Sequence, residues 1–376
     1  MKKINLFIII CFLMSCAAPK KQINANQVIP KSEYANLKID RPKNIILMIG
    51  DGMGLGQITA GMYMNNNCLE LERCTNIGIH KSYSADDLIT DSAAGATAFA
   101  SGIKTKNGYL GLDTFGRHVG TIMDKATSKD MATGLVVTST IVHATPAAFY
   151  AHQKDRDNYE DIAKDMLKSN SNLLIGGGQK YFTRRKTDSI DLIQTMIDSG
   201  YTVTDYFQND LEQFTFPEVD KLCYFTADGD PLPVSKGRTY LPLATKKAIQ
   251  FLKNKRKKGF FLMIEGSQID WGGHANEADY IITEMLDFNQ TIGDVLDFAR
   301  QDKNTLVIIT ADHETGGFAI NPGSVMGQLK TAFTTKKHTA AMIPVFAFGP
   351  GAQLFNGIYE NTEIYSKMNA LLFNPN

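Results

Sequence analysis

Short, almost unbroken apolar runs are the feature that most constrains the fold of this chain. Five of them, separated by helix-like stretches, occupy residues 44–49, 134–138, 260–264, 305–310 and 344–348. Strands of this composition are typically buried on both faces, as in a parallel sheet. Between residues 277 and 300, apolar side chains recur at three- and four-residue spacing, which predicts a helix with one face on the core. This alternation predicts an α/β fold with a mostly parallel central sheet and helices on both faces.

Acidic residues follow three of these runs, at the point where each strand is expected to end. Asp51 follows the first run, Glu265 and then Asp270 follow the third, and Asp312 follows the fourth. In open α/β sheets, ligands bind at the carboxyl ends of the strands. The sequence therefore predicts a polar binding site at this edge of the sheet.

Histidines accompany these carboxylates at spacings that suit metal binding. Asp270 and His274 lie four residues apart, so one helical turn or a tight glycine loop brings both to one ion. Zinc favours mixed nitrogen and oxygen ligands. Six such side chains predict two sites of three ligands each: Asp270, His274 and His338 for the first, and Asp51, Asp312 and His313 for the second. Glu265 and Thr145 offer only oxygen, which suits Mg²⁺.

Ser92 is the candidate nucleophile. Small, helix-compatible residues follow it, so it is expected at a helix N-terminus, where backbone N–H groups and the helix dipole favour an anion. Asp91 and Ser92 are also common helix caps, and the local pattern alone favours that structural role. A neighbouring metal ion favours the nucleophile, because it can hold the hydroxyl as an alkoxide near neutral pH.

Several motifs resemble, in order, those of the bacterial-type alkaline phosphatase family. They are 50–52 (GDG), 90–97 (TDSAAGAT), 143–148 (HATPAA), 265–270 (EGSQID) with His274, 310–317 (TADHETGG) and His338. The resemblance covers residues 43–360 and is strongest to the compact, cold-adapted marine and Antarctic members. It implies a three-layer sandwich and zinc- and magnesium-dependent hydrolysis of phosphate monoesters.

The resemblance also implies roles for individual residues. Ser92 would become a phosphoserine, and Arg156 would clamp the phosphate. The two groups of three ligands would hold two zinc ions per subunit, and Asp51, Thr145 and Glu265 would hold one magnesium ion. The interval of 25 positions between His313 and His338 leaves no room for the extra subdomain of larger members. An open site and a broad substrate range are therefore expected.

Two positions depart from the best-known enterobacterial pattern. His143 stands where that enzyme has an aspartate in the outer shell of magnesium, and Trp271 stands where it has a lysine near the phosphate. Asp91 keeps the family's acid beside the nucleophile. The departure at His143 implies altered magnesium affinity, with zinc occupancy or a need for added Mg²⁺ as consequences. Cys68 and Cys74 could pair or remain free, and the sequence does not decide between these states.

The N-terminus is predicted to be an export signal. Lys2 and Lys3 precede an apolar run that is too short to span a bilayer. The run ends in 13–16 (LMSC), which resembles a bacterial lipobox, so residues 1–15 would be a signal peptide and Cys16 the lipidated first mature residue. Residues 16–42 are expected to form a flexible tether. A single domain would follow over 43–376, with insertions around 176–240, on a lipoprotein of the periplasm or outer membrane. An ordinary signal peptide or an uncleaved anchor is the alternative.

Composition and motif chemistry leave few other functions. The chain has 39 Lys+Arg and 39 Asp+Glu, a balance that argues against a nucleic-acid partner. Membrane contact is expected only through the lipid. A phosphodiesterase or sulfatase, a nucleotide-binding oxidoreductase suggested by the glycine run at 50–56, and a non-catalytic binding lipoprotein are the alternatives. The sequence does not determine the oligomeric state, and a homodimer is carried over by analogy with many family members.

Overall fold

A ten-stranded sheet runs through the centre of this computed structural model, which describes residues 40–373. The strands of the described chain are β1 (Asn44–Gly50), β2 (Asn76–Lys81), β3 (Ala132–Thr140), β4 (Leu173–Gly177), β5 (Tyr201–Asp205), β6 (Lys221–Phe225), β7 (Phe260–Gly266), β8 (Thr305–Thr310), β9 (Glu314–Thr315), β10 (Ala319–Ile320), β11 (Thr331–Ala332), β12 (His338–Thr339), β13 (Ile343–Phe348) and β14 (Gly357–Glu360). The short strands β9 to β12 form two separate two-stranded ribbons.

The sheet is mostly parallel, as the apolar runs predicted. Its strand order is β14-β2-β13-β8-β1-β7-β3-β4-β6-β5, and β13 alone runs antiparallel to its neighbours β2 and β8. The four central strands β8, β1, β7 and β3 therefore end at the same edge. All five predicted runs are strands of this sheet.

Helices cover both faces of the sheet. They are α1 (Leu55–Met64), α2 (Ser92–Ser101), α3 (Ile122–Ser128), α4 (Ala144–Ala147), α5 (Tyr159–Met166), α6 (Lys180–Thr183), α7 (Leu192–Asp198), α8 (Tyr240–Leu252), α9 (Gln268–Ala275), α10 (Ala278–Asp302) and α11 (Thr362–Phe373). The long amphipathic stretch predicted over 277–300 is α10.

Alternate residues of β1 point into two separate cores. Ile45 and Leu47 pack on the face that carries α2, α3, α5 and α11. Ile46 and Met48 pack on the opposite face, against α1, α8 and α10. A strand buried in this way needs apolar residues at every position, which is why the run is unbroken. The three-layer arrangement is confirmed.

The region around 176–240 contains more than the expected insertions and loops. Strands β5 and β6 lie within it and extend the main sheet to its far edge, and helices α6 and α7 lie beside them. These strands are five residues long and flanked by polar segments, so they lack the long apolar runs of the sheet centre.

Residues 1–39, with the predicted signal peptide, Cys16 and nearly all of the tether, lie outside the described residues. Within 40–373, none of the helices combines the length and apolar character needed to cross a bilayer. Cys68, Cys74 and Cys223 are free thiols, and Cys68 and Cys74 are not bonded to each other.

Candidate metal centre and nucleophile

The first predicted group of ligands comes together in space. Helix α9 places Asp270 and His274 one turn apart, and β12 brings His338 to them. The distance from Asp270 Oδ2 to His274 Nε2 is 3.4 Å, and the distance from Asp270 Oδ1 to His338 Nε2 is 3.5 Å. The two imidazole Nε2 atoms are 3.1 Å apart. His274 is the most exposed of the three, so this group lies at the mouth of the site.

The second group lies deeper and is fully buried. Asp51 follows β1, and Asp312 and His313 follow β8, the strand that pairs with β1. His313 Nε2 lies 3.2 Å from Asp312 Oδ2 and 3.5 Å from Asp51 Oδ1. The rings of His313 and His338 stack with centroids 3.5 Å apart, so the two groups are neighbours.

Asp51 also belongs to a third group, with His143 and Glu265. In each of the three groups, one ligand atom from every residue lies within 4.8 Å of the others. Thr145 Oγ1 donates to Asp51 Oδ2 at 3.3 Å, which adds an oxygen donor beside this group. His143 precedes α4 and Thr145 lies in its first turn.

The protonation of the imidazoles suits metal binding. His274 Nδ1 lies 2.7 Å from the Lys336 carbonyl, and His338 Nδ1 lies 2.8 Å from the Thr90 carbonyl. A carbonyl only accepts, so each Nδ1 carries a proton, and in the neutral ring Nε2 offers its lone pair toward the centre. His313 Nδ1 lies 3.2 Å from Thr315 Oγ1, which itself donates to Asp270 and so accepts from His313.

The carboxylates also suit cations. Asp51 Oδ1, Asp312 Oδ2 and Glu265 Oε1 are buried and have no hydrogen-bond partner among the described residues. Burial and repulsion from Asp312, Asp270 and Glu265 raise the pKa of Asp51 well above its usual value. Burial raises the pKa of Glu265 to about 8. Like charges gathered in a dry site in this way are normally balanced by bound cations. The donor set therefore fits metal ions.

Ser92 opens helix α2, as predicted. Asp91 is the cap of this helix, and its Oδ1 accepts from Ala94 N at 2.9 Å. Ser92 Oγ lies 3.2 Å from His313 Nε2, the atom that also faces Asp51 and Asp312. A single ion could therefore contact the hydroxyl and the second group together. The structure brings the nucleophile candidate to the candidate metal ligands.

Arg156 reaches the same pocket from a polar loop. Its NH1 donates to Asp91 Oδ2 at 3.2 Å, and Gly108 N donates to the same oxygen at 2.8 Å. The other predicted neighbour, Trp271, lies edge-on to His143, with ring centroids 5.9 Å apart. Burial, with a smaller contribution from Arg156, lowers the pKa of His143 to about 3, so His143 is neutral.

Two contributors were not predicted from the sequence. Thr315 links the groups by contacting Asp270 and His313, and the Thr90 carbonyl orients His338. Thr315 lies inside the motif at 310–317, so the motif contained a signal for it. The backbone contact of Thr90 leaves no signal in the sequence, because any residue carries a carbonyl.

Comparison with known proteins agrees with this geometry. A family model described as alkaline phosphatase matches residues 42–332. Alkaline phosphatase 3 of Bacillus subtilis (strain 168) is 37% identical over 316 residues, covering 80% of this chain and 67% of the relative. The solved alkaline phosphatase of the Antarctic bacterium TAB5 is 42% identical with a TM-score of 0.83, covering 89% of this chain and 99% of that one. A variant of that enzyme with a histidine replaced by aspartate, solved with Mg bound in its M3 site, is 41% identical with a TM-score of 0.82 and the same coverage.

Proposed function

The chain belongs to the alkaline phosphatase family and is a phosphomonoesterase, and we propose that it works through a phosphoserine intermediate on Ser92. The observation that carries this proposal is the position of Ser92 Oγ, 3.2 Å from His313 Nε2 at the N-terminus of α2. The hydroxyl oxygen would attack phosphorus as the alcohol leaves, and water would then hydrolyse the phosphoserine. Two displacements of this kind give net retention at phosphorus and release inorganic phosphate.

Two zinc ions and one magnesium ion per subunit would complete the site. Asp270, His274 and His338 would hold the first zinc, and Asp51, Asp312 and His313 the second. Asp51, Glu265 and Thr145 would hold magnesium, with His143 beside it. When bound, the ions supply charge that stabilises the attacking and leaving oxygens and lowers the pKa of the hydroxyl and of water.

The protein's own groups would bind and orient the phosphate. The guanidinium of Arg156 can form two parallel hydrogen bonds to phosphate oxygens, and Asp91 holds it in place through NH1. The N-terminus of α2, with its first backbone N–H groups and helix dipole, would favour the same anion. As the helix cap, Asp91 accepts a hydrogen bond from one of these N–H groups, that of Ala94. Asp91 therefore holds both the arginine and the start of the helix that carries Ser92. Trp271 would lie at the edge of this phosphate environment.

The third site is proposed to bind Mg²⁺ less readily than an all-oxygen site would. His143 is neutral and offers nitrogen, whereas Mg²⁺ prefers oxygen ligands. The magnesium-bound TAB5 variant, in which aspartate replaces a histidine, supports the idea that this exchange favours Mg²⁺. Zinc occupancy of the third site is the alternative.

The substrate range is proposed to be broad. Residues 316–337 contain only the short strands β10 and β11 and turns, so no subdomain rises over the exposed side of His274. Export as a lipoprotein through Cys16, with lipid as the only membrane contact, and assembly as a homodimer rest on the sequence and the family resemblance. A precursor whose size is unchanged by globomycin treatment would refute the lipoprotein proposal.

Trapping the covalent intermediate tests the proposed mechanism. The metal-loaded protein is mixed with a phosphate monoester, quenched in acid and digested, and we expect a phosphate adduct on the peptide that contains Ser92. The Ser92→Ala variant should carry no adduct and should lose monoester hydrolysis by several orders of magnitude while keeping its zinc. Near-normal turnover of that variant would rule out the serine route. A diester substrate, run in parallel, separates this function from that of a phosphodiesterase.

A further inference from the structure

The ribbon formed by β9 and β12 carries one of the proposed metal ligands and is unusually short. His338 pairs with Thr315, and Thr339 pairs with Glu314. Side chains alternate between the two faces of a ribbon, so His338 and Thr315 face the metal centre while Glu314 and Thr339 face away. Two residue pairs alone make a marginally stable ribbon. Other contacts must therefore hold His338 in place.

Glu314 supplies those contacts from the back face of the ribbon. Its carboxylate accepts from Gln57 Nε2 at 2.8 Å and from the backbone N–H groups of Phe318 and Gly317 at 3.0 and 3.2 Å. It also accepts from the hydroxyl of Thr339, the residue that follows His338. Glu314 is buried, and it ties helix α1, the turn at 316–318 and both strands of the ribbon to one side chain.

The glycine run at 50–56 leaves room for this arrangement. A methyl group at Gly54 would overlap Glu314 Cγ, and one at Gly56 would lie 2.6 Å from the Phe318 carbonyl oxygen. Helix α1 can therefore approach the turn closely enough for Gln57 to contact both Glu314 and the Thr315 carbonyl, the latter at 2.8 Å. The glycines serve close packing here, which accounts for a motif that had suggested a nucleotide site.

We propose that Glu314 is a positioning residue that sets the zinc affinity of the Asp270, His274 and His338 group by holding His338. The proposal rests on the zinc sites proposed above. Asp51 directly follows β1, and Asp312 and the fully buried His313 lie two and three residues past β8, so the central sheet supports the second group without the Glu314 side chain. His338 lies on the marginal ribbon; its ring contacts the Thr90 carbonyl and stacks on His313, but its backbone depends on the ribbon. Removing the Glu314 contacts should therefore weaken the first zinc site selectively.

Zinc release from the loaded enzyme tests this selectivity. Wild type, Glu314→Gln and Thr339→Val are mixed with excess colorimetric chelator, and the two release phases are followed. We expect one zinc per chain to leave about 10- to 100-fold faster from Glu314→Gln, as for other supporting partners of metal ligands. The second zinc should leave at the wild-type rate. Thr339→Val removes only the cross-strand bond and should shift the same phase by less.

Glu284→Gln is the matched control, because Glu284 is a buried acid paired with Arg238 and not with the ribbon. It should lower the melting temperature of the zinc-free protein without changing the ratio of the two release rates. Equal acceleration of both phases in Glu314→Gln, or unchanged release in both ribbon variants, would overturn the proposal. A wild type that binds no zinc would instead refute the proposed metal sites, and this inference with them.

Discussion

Replacing Lys367 with methionine is expected to stabilise the protein. Lys367 is 2% exposed, and its Nζ has no hydrogen-bond partner among the described residues. The ammonium lies over the rings of Tyr359 and Phe355, which favour the cation but only partly replace water. Burial lowers the pKa of Lys367 from 10.5 to about 7.

The size and pH dependence of the effect follow from this pKa. Each pKa unit corresponds to about 1.4 kcal/mol, so burying the ammonium costs the folded protein up to about 5 kcal/mol below pH 7. Between pH 7 and 10.5 the unfolded lysine still binds a proton that the folded one has released. Stability therefore rises with pH across this window, and the penalty disappears above it. Methionine keeps the unbranched chain over the aromatic rings and removes the charge.

Denaturant unfolding of both proteins from pH 6 to pH 10.5 at one fixed concentration of free zinc measures the effect. Metal binding depends on pH as well, but it contributes equally to both proteins and cancels in their difference. We expect Lys367→Met to be more stable by about 2 to 4 kcal/mol at pH 7, with the difference shrinking toward pH 10.5. The exposed Lys258→Met is the control and should show no trend. A difference that does not change with pH, or a less stable variant at pH 7, would refute the reasoning.

Three other changes probe the site directly. His143→Asp should tighten magnesium binding, because it replaces a nitrogen donor with a carboxylate; weaker binding by isothermal titration would contradict this. Arg156→Lys should raise the KM for monoesters and the inhibition constant of competing inorganic phosphate about 10-fold or more, because lysine cannot form the paired hydrogen bonds; an unchanged inhibition constant would argue against the clamp. EDTA should abolish activity and zinc should restore it, and active enzyme that contains no metal by elemental analysis would exclude the proposed centre.

The sheet was predictable where burial on both faces imposes an unbroken apolar run. Strand β1 is the clearest case, because both cores contact it. Strand β2, which lies next to the edge strand β14, was missed for the opposite reason. It contains Gly78 and polar residues at both ends, and its Ile77 is half exposed. Strand β5 alternates threonine with apolar residues and lies at the other edge, where one side has no neighbouring strand. Strands at or beside an edge of the sheet bury fewer of their residues than the central strands, so their sequences are less constrained.

The site was predictable to the extent that its ligands belong to local motifs. Asp270 and His274 lie on one helical turn, and their spacing indicates this. Arg156 lies in a polar run that by itself suggests a surface residue, and only the fold brings it to Asp91, 65 positions earlier in the chain. The role of Glu314 depends on pairing with Thr339 across the ribbon. No local pattern carries that information, because the partners come from separate segments.

Strand order explains why one carboxylate is shared between two of the metal groups. The four central strands lie in the order β8, β1, β7 and β3, and each is followed by or contains a proposed ligand: Asp312, Asp51, Glu265 and His143. Ile49, the last residue but one of β1, pairs with Thr310 on one side and with Glu265 on the other. Asp51 therefore faces ligands from both neighbouring strands. Its Oδ1 lies toward His313 and its Oδ2 toward Thr145, so each oxygen serves a different group. The neighbours of β1 in the sheet, and not spacing along the chain, determine which ions would share a ligand.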